Sequence, residues 1–216
     1  MTTASKVAVI GLGNIGQAVA ANLSKSNRSF IAADRNVEKA KTLSGNWGTP
    51  AQPSDIPSAL KNADIVILSI PFEAIADFMK EYESDLEGKI IVDPSNPIAP
   101  DEKGGFKKVI GENESAGEIN ASALPKNTKL AKALGTLGAA SLTGSAYRTP
   151  KKAVLFYATD ENEINETIEQ LIADSGFDAV RVGDLNQSLR LEVFGDLHEF
   201  GALGKVVTKK EAIAKL

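Results

Sequence analysis

The strongest chemical signal in the sequence is a glycine-rich turn between an apolar run and a stripe of helical spacing. The turn reads GLGNIG and covers residues 11–16. In such a context Gly11 permits a tight turn, Gly13 leaves room for a pyrophosphate to approach the backbone, and Gly16 lets the helix pack against the strand. The sequence therefore predicts a dinucleotide-binding turn, and a structural turn without a ligand is the alternative.

The first turn of the following helix is expected to hold the anion. Asn14 and Ile15 open this helix, and the apolar residues Ile15, Val19 and Leu23 recur at a spacing of four along it. Backbone N–H groups at a helix start have no partner within the helix, and the helix dipole favours a negative charge there. The N–H groups of Asn14 and Ile15 are thus candidates for contact with a pyrophosphate.

The end of the second predicted strand gives conflicting signals about the cofactor. Asp34 would accept hydrogen bonds from a free ribose 2′-hydroxyl group and repel a 2′-phosphate, which favours NAD(H). Arg35 and Lys39 would bind a 2′-phosphate, which favours NADP(H). A solvated position at the start of a helix is the alternative for these two cations, so the residues leave the choice open.

Two further strand ends carry residues that should meet the same crevice. LSIPFEAI places Ser69, Ile70 and Pro71 at the end of one long strand, and VDPSNPIAP places Ser95 and Asn96 at the end of the next. Ligands of open α/β sheets bind at the carboxyl edge of the strands. We expect these residues to contact cofactor or substrate, with helix or turn capping as the alternative.

The segment KALGTLGAASLTGSA, residues 132–146, is rich in small residues. Small side chains there would let a flat nicotinamide ring and a second flat substrate approach closely, whereas a flexible turn and a tightly packed helix form the alternative. His198 is the only histidine, and a hydrogen-bonded or surface position is favoured over a catalytic role for it. Candidates for proton transfer are few, and no catalytic residue is assigned. Hydride transfer between two rings needs orientation more than acid–base groups.

Alternating strand and helix patterns predict an α/β fold. We expect a single Rossmann-type domain over residues 1–216, with a largely parallel sheet, helices on both faces, a core at 1–150 and a small α/β extension at 151–216. The strand candidates are 6–11, 29–34, 64–70, 89–93, 128–134, 153–159 and 178–183. The later helix candidates are 36–43, 54–61, 72–82, 115–124, 161–173 and 185–200, with a short or irregular third strand near residues 48–57 and a mobile loop before residue 115.

Composition narrows the classes of partner. The 216 residues carry a net charge of −4 and contain no cysteine, which excludes disulfides and thiolate metal sites, and no metal site is predicted. Neither a basic block for nucleic acid nor an apolar run of roughly 18 residues for a membrane is present. The start, MTTASK, lacks the apolar core of a signal peptide. We expect a cytoplasmic protein that binds neither nucleic acid nor a membrane.

Taken together, the motifs resemble compact NADP-dependent oxidoreductases that include the deazaflavin (coenzyme F420):NADP reductases. The reductase domain of six-transmembrane ferric reductases and the amino-terminal domain of pyrroline-5-carboxylate reductases are similar too. The resemblance covers nearly the whole chain and rests on VAVIGLGNIGQAVAANL, DIVILSIPFEAI, IIVDPSNPI, KLAKALGTLGAASL and AVLFYATDENE followed by LIADSGFDAVRVGDL. Two departures are Asp34, where the family usually has a small polar residue, and Leu134-Gly135, where it has Phe-Asn.

The resemblance implies hydride transfer between NADP(H) and a flavin-like, deazaflavin or other small redox acceptor, in a possible homodimer. It also implies a set of cofactor contacts: the pyrophosphate at Leu12, Asn14 and Ile15, the 2′-phosphate at Arg35 and Lys39, the nicotinamide side at Ser69–Pro71 and Asn96, and the carboxamide at Ala139 and Ala140. One alternative is an imine or 3-hydroxyacid reductase, whose all-helical second domain does not fit the β-type segments after residue 150. The other is a dinucleotide sensor without turnover.

Overall fold

A computed structural model describes residues 5–216, and an eight-stranded sheet forms its centre. Its strands, in chain order, are β1 (Val7–Ile10), β2 (Phe30–Ala33), β3 (Ala51–Ser54), β4 (Ile65–Leu68), β5 (Ile90–Asp93), β8 (Lys129–Lys132), β9 (Val154–Ala158) and β10 (Asp178–Gly183), while β6 (Ile98–Pro100) and β7 (Phe106–Lys108) form a separate hairpin. The spatial order is β10-β9-β8-β5-β4-β1-β2-β3. Strands from both sides of residue 150 belong to this one sheet. The division into a core and an extension at residue 150 stays a prediction.

Most of the sheet is parallel, as the sequence predicts. Every pairing from β3 across to β8 is parallel, and so is the pairing of β9 with β10. The exception is the junction of β8 and β9, which is antiparallel through Lys132 and Ala158. The chain thus reverses direction once, where the predicted extension joins the core.

Helices cover both faces of the sheet. They are α1 (Asn14–Lys25), α2 (Val37–Trp47), α3 (Ile56–Asn62), α4 (Phe72–Glu81), α5 (Glu83–Leu86), α6 (Ala116–Ala121), α7 (Ala139–Ser145), α8 (Asn165–Asp174), α9 (Ser188–Leu191) and α10 (Lys209–Ile213). No helix within residues 5–216 is long and apolar enough to cross a membrane.

Successive residues of β1 face opposite sides of the sheet. Val7 and Val9 pack in one cluster with Val19 and Leu23 of α1. Ala8 and Ile10 belong to the cluster on the other face. All four β1 residues are buried, which explains why this strand is apolar without alternation.

The strand order reverses between β1 and β4. β2 and β3 lie on one side of this junction, and β5 and β8 lie on the other. The N–H of Ser69 donates to the carbonyl oxygen of Ile10 at 2.8 Å, which ties the two strand ends together. A crevice at this position is where open α/β sheets bind ligands.

The predicted helix over residues 185–200 is wrong. The segment forms a 3-10 turn, Leu185–Gln187, and then the short helix α9, which ends at Leu191. The following C-terminal loop, residues 192–205, contains Phe194 with φ of +77°. Its apolar residues mimic a helical stripe, but Leu197 packs with a satellite core while Glu192 bonds to α6. Long-range contacts therefore override the local pattern.

The connection before residue 115 also differs from the prediction. In place of a mobile loop, residues 98–108 form the hairpin of β6 and β7, and α6 lies inside the predicted range 115–124. Gly104 and Gly105 both have positive φ in its turn. The third strand, β3, is a regular edge strand of four residues that tolerates Pro53, because an edge position does not require every N–H to pair.

Candidate dinucleotide-binding cleft

The three glycines of the turn each meet a separate steric demand. Gly11 has φ of +87°, and a Cβ there would come closer than 3.0 Å to the carbonyl oxygen of Ser69. A Cβ at Gly16 would come equally close to the carbonyl oxygen of Gly11. At Gly13 a Cβ would meet no atom within 4 Å. Gly11 and Gly16 thus pack strand ends and helix together, whereas Gly13 faces open space of the kind a phosphate requires.

The amino terminus of α1 opens into this space. Gly13 is its N-cap residue, and its first turn contains no acidic side chain. Asn14 is exposed and Ile15 is half-buried. Since first-turn N–H groups have no acceptor inside the helix, this end presents donors and the positive end of the dipole to the cleft.

The carboxylate of Asp34 is held by the turn. One oxygen accepts from the N–H of Leu12 at 2.9 Å and from Nζ of Lys39 at 3.1 Å, while the other accepts from the N–H of Asn36. Burial works against ionisation, but these hydrogen bonds outweigh it and lower the pKa of Asp34. The ionised carboxylate of Asp34 therefore stabilises the turn. The N–H of the buried Leu12 already has an acceptor.

Two cations lie beside Asp34. Arg35 is exposed and lines the cleft with Lys39. Lys39 pairs with Asp34, whereas no hydrogen bond or ion pair joins the Arg35 side chain to another residue within 5–216. The guanidinium group is thus free to meet an anion in the cleft.

The cleft is continuous and has two ends. The Arg35 end has a volume of about 470 Å³ and includes Asp34, Lys39, Ile56 and Phe78. The Phe200 end has a volume of about 710 Å³ and includes Asn14, Ile15, Asn96, Phe106, Ala139, Ala140, Glu199 and Phe200. Both ends share Gly13, Ser69, Ile70, Pro71 and Glu73. The structure therefore brings the expected cofactor contacts to one crevice, and Gly16 packs beneath its turn.

Asn96 lies in the wall of the Phe200 end, but its amide is already bonded. Its Nδ2 donates to the carbonyl oxygen of Gly135 at 3.2 Å, and its Oδ1 accepts from the N–H of Val193 at 2.7 Å. The side chain thus ties the end of β5 to the C-terminal loop. This arrangement favours a role for Asn96 in shaping the wall.

The amino terminus of α7 reaches the same end of the cleft. Ala139 and Ala140 form its first turn and are at least partly exposed. Glu199 accepts from the N–H of Gly138 through Oε1 and from Oγ of Ser141 at 2.7 Å through Oε2. Sequence reasoning missed Glu199, because the residue that caps this turn comes from a loop some 60 positions later.

His198 is buried, and both of its ring nitrogens have backbone hydrogen-bond partners. One ring nitrogen, Nε2, lies 3.0 Å from the carbonyl oxygen of Gly135, and Nδ1 accepts from the N–H of Phe200 at 2.9 Å. Burial lowers the pKa of His198 to about 4. The imidazole is therefore neutral at pH 7, and it fixes the C-terminal loop against the segment that precedes α7.

A buried ionic cluster lies behind the wall formed by Ser95 and Asn96. Lys132 donates to Asp93 at 3.0 Å and to the carbonyl oxygen of Ser95, and it lies 4.0 Å from Glu192. Glu192 also accepts from the N–H groups of residues 116 and 117, while burial raises its pKa. The cluster joins β5, β8, α6 and the C-terminal loop beneath the Phe200 end.

The chain is similar to known proteins in sequence and in fold. Residues 6–97 match the family model described as NADP oxidoreductase coenzyme F420-dependent. The F420-dependent NADP reductase of Methanocaldococcus jannaschii is 32% identical over 103 residues, which cover 44% of this chain and 46% of that protein. The match thus spans less than half of the curated reductase.

Solved structures extend the likeness to nearly the whole chain. A hypothetical protein from Sinorhizobium meliloti is 28% identical, with a TM-score of 0.82 over 95% of this chain and 96% of that one. A putative F420-dependent NADP reductase from an Arthrobacter species is 19% identical, with a TM-score of 0.72 over 86% of this chain and 87% of that chain. The second match concerns the fold alone. The part of the chain beyond residue 97 therefore shares the fold of these solved structures.

Proposed function

We propose that this protein is an NADP(H)-dependent oxidoreductase that transfers a hydride between the nicotinamide and a small redox acceptor. One observation carries the proposal: a single cleft at the reversal point of the sheet joins Arg35 to the small-residue start of α7, across the amino terminus of α1. A dinucleotide has the same three parts in the same order, namely a charged ribose end, a pyrophosphate and a flat ring.

The residues of the cleft fit NADP(H) better than NAD(H). Asp34 is occupied by backbone N–H groups and by Lys39, so it is not directed at a ribose hydroxyl. Arg35 supplies a guanidinium group that is free for a 2′-phosphate. The space over Gly13 and the N–H groups of Asn14 and Ile15 fit the pyrophosphate.

In this proposal the protein orients the cofactor and the acceptor, and the cofactor supplies the redox chemistry. NADPH, when bound, provides the hydride. Ser69, Ile70 and Pro71 form one wall of the shared section, and the first turn of α7 forms the opposite wall. The N–H groups of Ala139 and Ala140 have no acceptor within the helix and fit the carboxamide of the nicotinamide. Neutral His198 braces the wall and takes no part in proton transfer.

Binding of NADPH and NADH to the Arg35→Ala variant tests the cofactor assignment. We expect NADPH to bind roughly 10- to 100-fold more weakly, because a charged hydrogen bond is worth about 1.5–3 kcal/mol, and NADH binding to change little. Arg148→Ala, an exposed arginine outside the residues that line the cleft, is the matched control. Equal weakening of both nucleotides would exclude Arg35 as the 2′-phosphate ligand.

Turnover separates the enzyme from a dinucleotide sensor. Steady oxidation of NADPH with flavin, deazaflavin, quinone or imine acceptors supports the oxidoreductase, and the productive acceptor distinguishes it from an imine reductase. Stoichiometric binding of NADPH without turnover would favour the sensor. A homodimer and a cytoplasmic location belong to the proposal as well, and light scattering of the purified protein tests the first.

A further inference from the structure

The Phe200 end differs from the Arg35 end in the charges that line it. Glu73 and Glu199 are its two ionisable acids, and among residues 5–216 no lysine or arginine lines it. His198 adds no charge at pH 7, because burial lowers its pKa to about 4. An anionic acceptor in this end would therefore meet two carboxylates and no cation.

The helix termini at this end do not compensate for the missing cations. Under the proposed function, the amino terminus of α1 holds the pyrophosphate of the cofactor. At α7, the N–H of Gly138 already donates to Glu199, and so does the hydroxyl group of Ser141. Of the neighbouring hairpin lysines, Lys108 is directed to the carbonyl oxygens of residues 112 and 114.

Two exposed aromatic rings stand at the rim of the same end. Phe106 on β7 is 54% exposed, and Phe200 in the C-terminal loop is 57% exposed. Phe200 lies so close to Gly138 that a Cβ at that glycine would come within 3.0 Å of the ring. Water-facing phenylalanines contributed by two distant segments to one opening are typical of a surface that stacks against a flat ligand.

From these charges and rings, the geometry points to an uncharged, flat aromatic acceptor, a flavin or quinone ring without a phosphate or carboxylate tail, as the co-substrate of the Phe200 end. This inference rests on the proposed function and deepens it. It also means that the lining of this end does not fit the anionic tail of coenzyme F420. The acceptor ring lies between the nicotinamide and the aromatic rim.

The reaction then balances without a protein acid. The hydride leaves C4 of the nicotinamide with both electrons of its C–H bond, and NADPH becomes NADP⁺. The acceptor ring gains this hydride and one proton from solvent, so a quinone becomes a hydroquinone and an oxidised flavin becomes the reduced flavin. The open mouth of the cleft gives water access to the acceptor.

Riboflavin and FMN form the decisive pair of acceptors, because they share one redox ring and differ by a phosphate group of roughly −1.5 to −2 charges at pH 7. We expect kcat/KM for riboflavin to exceed that for FMN by about tenfold or more at low salt, since like charges repel at a binding surface. Menadione should also be reduced. Coenzyme F420 should react more slowly than its tail-less chromophore.

Charge variants test whether the two glutamates cause the difference. Glu73 is exposed, so Glu73→Gln should fold normally and narrow the riboflavin-to-FMN ratio, and Glu199→Gln should narrow it as well. Glu166→Gln removes the same charge on α8, away from the residues that line the cleft, and should leave the ratio unchanged. A ratio that does not respond to Glu73→Gln or Glu199→Gln would overturn the electrostatic explanation.

Aromatic variants test the rim. Phe106→Ala and Phe200→Ala should each raise KM for riboflavin by roughly fivefold to tenfold, with NADPH affinity unchanged, because a stacked aromatic pair is worth about 0.5–1.5 kcal/mol. Phe194→Ala is the matched control, since Phe194 is 53% exposed but lies outside the Phe200 end. An equal rise in KM for Phe194→Ala would overturn the stacking role.

The outcomes separate this inference from the proposed function. If NADPH is oxidised with FMN or coenzyme F420 at least as well as with the uncharged rings, the inference is wrong and the oxidoreductase stands. If NADPH binds and no acceptor is reduced, both are wrong and the sensor is favoured. Preference for the uncharged rings, lost in the glutamate variants, supports both.

Discussion

The two ends of the cleft are built in opposite ways. The Arg35 end comes from residues 10–81, and its turn at residues 11–16 and its segment from Asp34 to Lys39 follow adjacent strands. The Phe200 end adds the segment after β5, the hairpin, α7 and the C-terminal loop, and the bond from Val193 to Asn96 joins residues 97 positions apart. Local structure positions the first end, and long-range contacts position the second.

Under the proposed function, this difference assigns nucleotide binding to the first end and acceptor selection to the second. The Arg35 end lies within residues 6–97, the part that matches the F420-dependent oxidoreductase family. The residues that give the other end its acidic and aromatic lining come from outside that range, apart from Phe72 and Glu73. We expect damage to the second end to alter the acceptor while nucleotide binding survives.

The largest expected effect is the loss of stability when the buried ionic cluster beneath the second end is broken. Lys132→Met leaves Asp93 buried without its cation, and removal of one partner of a buried ion pair costs about 3–5 kcal/mol. Chemical unfolding should show this loss. Lys129→Met, on the same strand, removes a lysine whose partner Glu163 is exposed and should cost less than about 1 kcal/mol. Similar losses for the two variants would mean that the buried cluster does not hold this end together.

The next effect is a pH dependence of the free energy of unfolding, and it arises from His198 in the second end. The unfolded chain protonates His198 near pH 6.5, whereas the folded chain does so only near pH 4. Below pH 6.5 the unfolded state therefore binds the extra proton, and stability falls as pH drops toward 4, by about 3 kcal/mol in total. Unfolding free energies of the parent and of His198→Gln should converge over this window. Parallel pH profiles would show that the histidine titrates normally in the folded protein.

Glycine variants test the first end. Gly16→Ala forces a Cβ against the carbonyl oxygen of Gly11 and should cost about 1–3 kcal/mol of stability as overpacking. Gly13→Ala meets no atom within 4 Å, so the fold should be unaffected while NADPH affinity falls. Calorimetry and a nucleotide titration measure the two quantities. Unchanged NADPH affinity in Gly13→Ala would place the pyrophosphate elsewhere.

The smallest expected effect is a stronger preference of the first end for NADPH. Asp34→Asn keeps an acceptor for the N–H of Leu12, removes one negative charge beside Arg35 and releases Lys39. NADPH should bind roughly fivefold more tightly, as expected for about 1 kcal/mol of relieved repulsion near the surface. Glu38→Gln, on the exposed side of α2, serves as the charge control. A selective loss of NADH affinity would instead identify Asp34 as a ribose ligand.

The sequence predicted the first end well, because its signals are local. Glycine spacing, strand ends and the run from Asp34 to Lys39 each depend on neighbours in the chain, and the structure brings them to one crevice. The hairpin was also within reach, since the Gly104-Gly105 pair between β-type residues indicates a turn. The antiparallel entry of β9 has no such local marker.

The second end could not be predicted in the same way. Glu199 caps α7, and Asn96 bonds to Val193, only after the whole sheet has formed. The predicted helix over 185–200 was wrong because apolar residues at helical spacing there serve different partners. Burial of Lys132 beside Asp93 runs against the usual exposure of lysine, and only the fold supplies its compensating acceptors.

The C-terminal loop has a consequence for how such proteins diversify. One stretch of fourteen residues, 192–205, brings Val193, His198, Glu199 and Phe200 to the acceptor side of the cleft. Under the proposed function, exchange of that stretch, which packs against Gly138 through Phe200, should change acceptor preference while nucleotide binding survives. The loop is therefore a suitable segment to exchange in laboratory recombination among homologues.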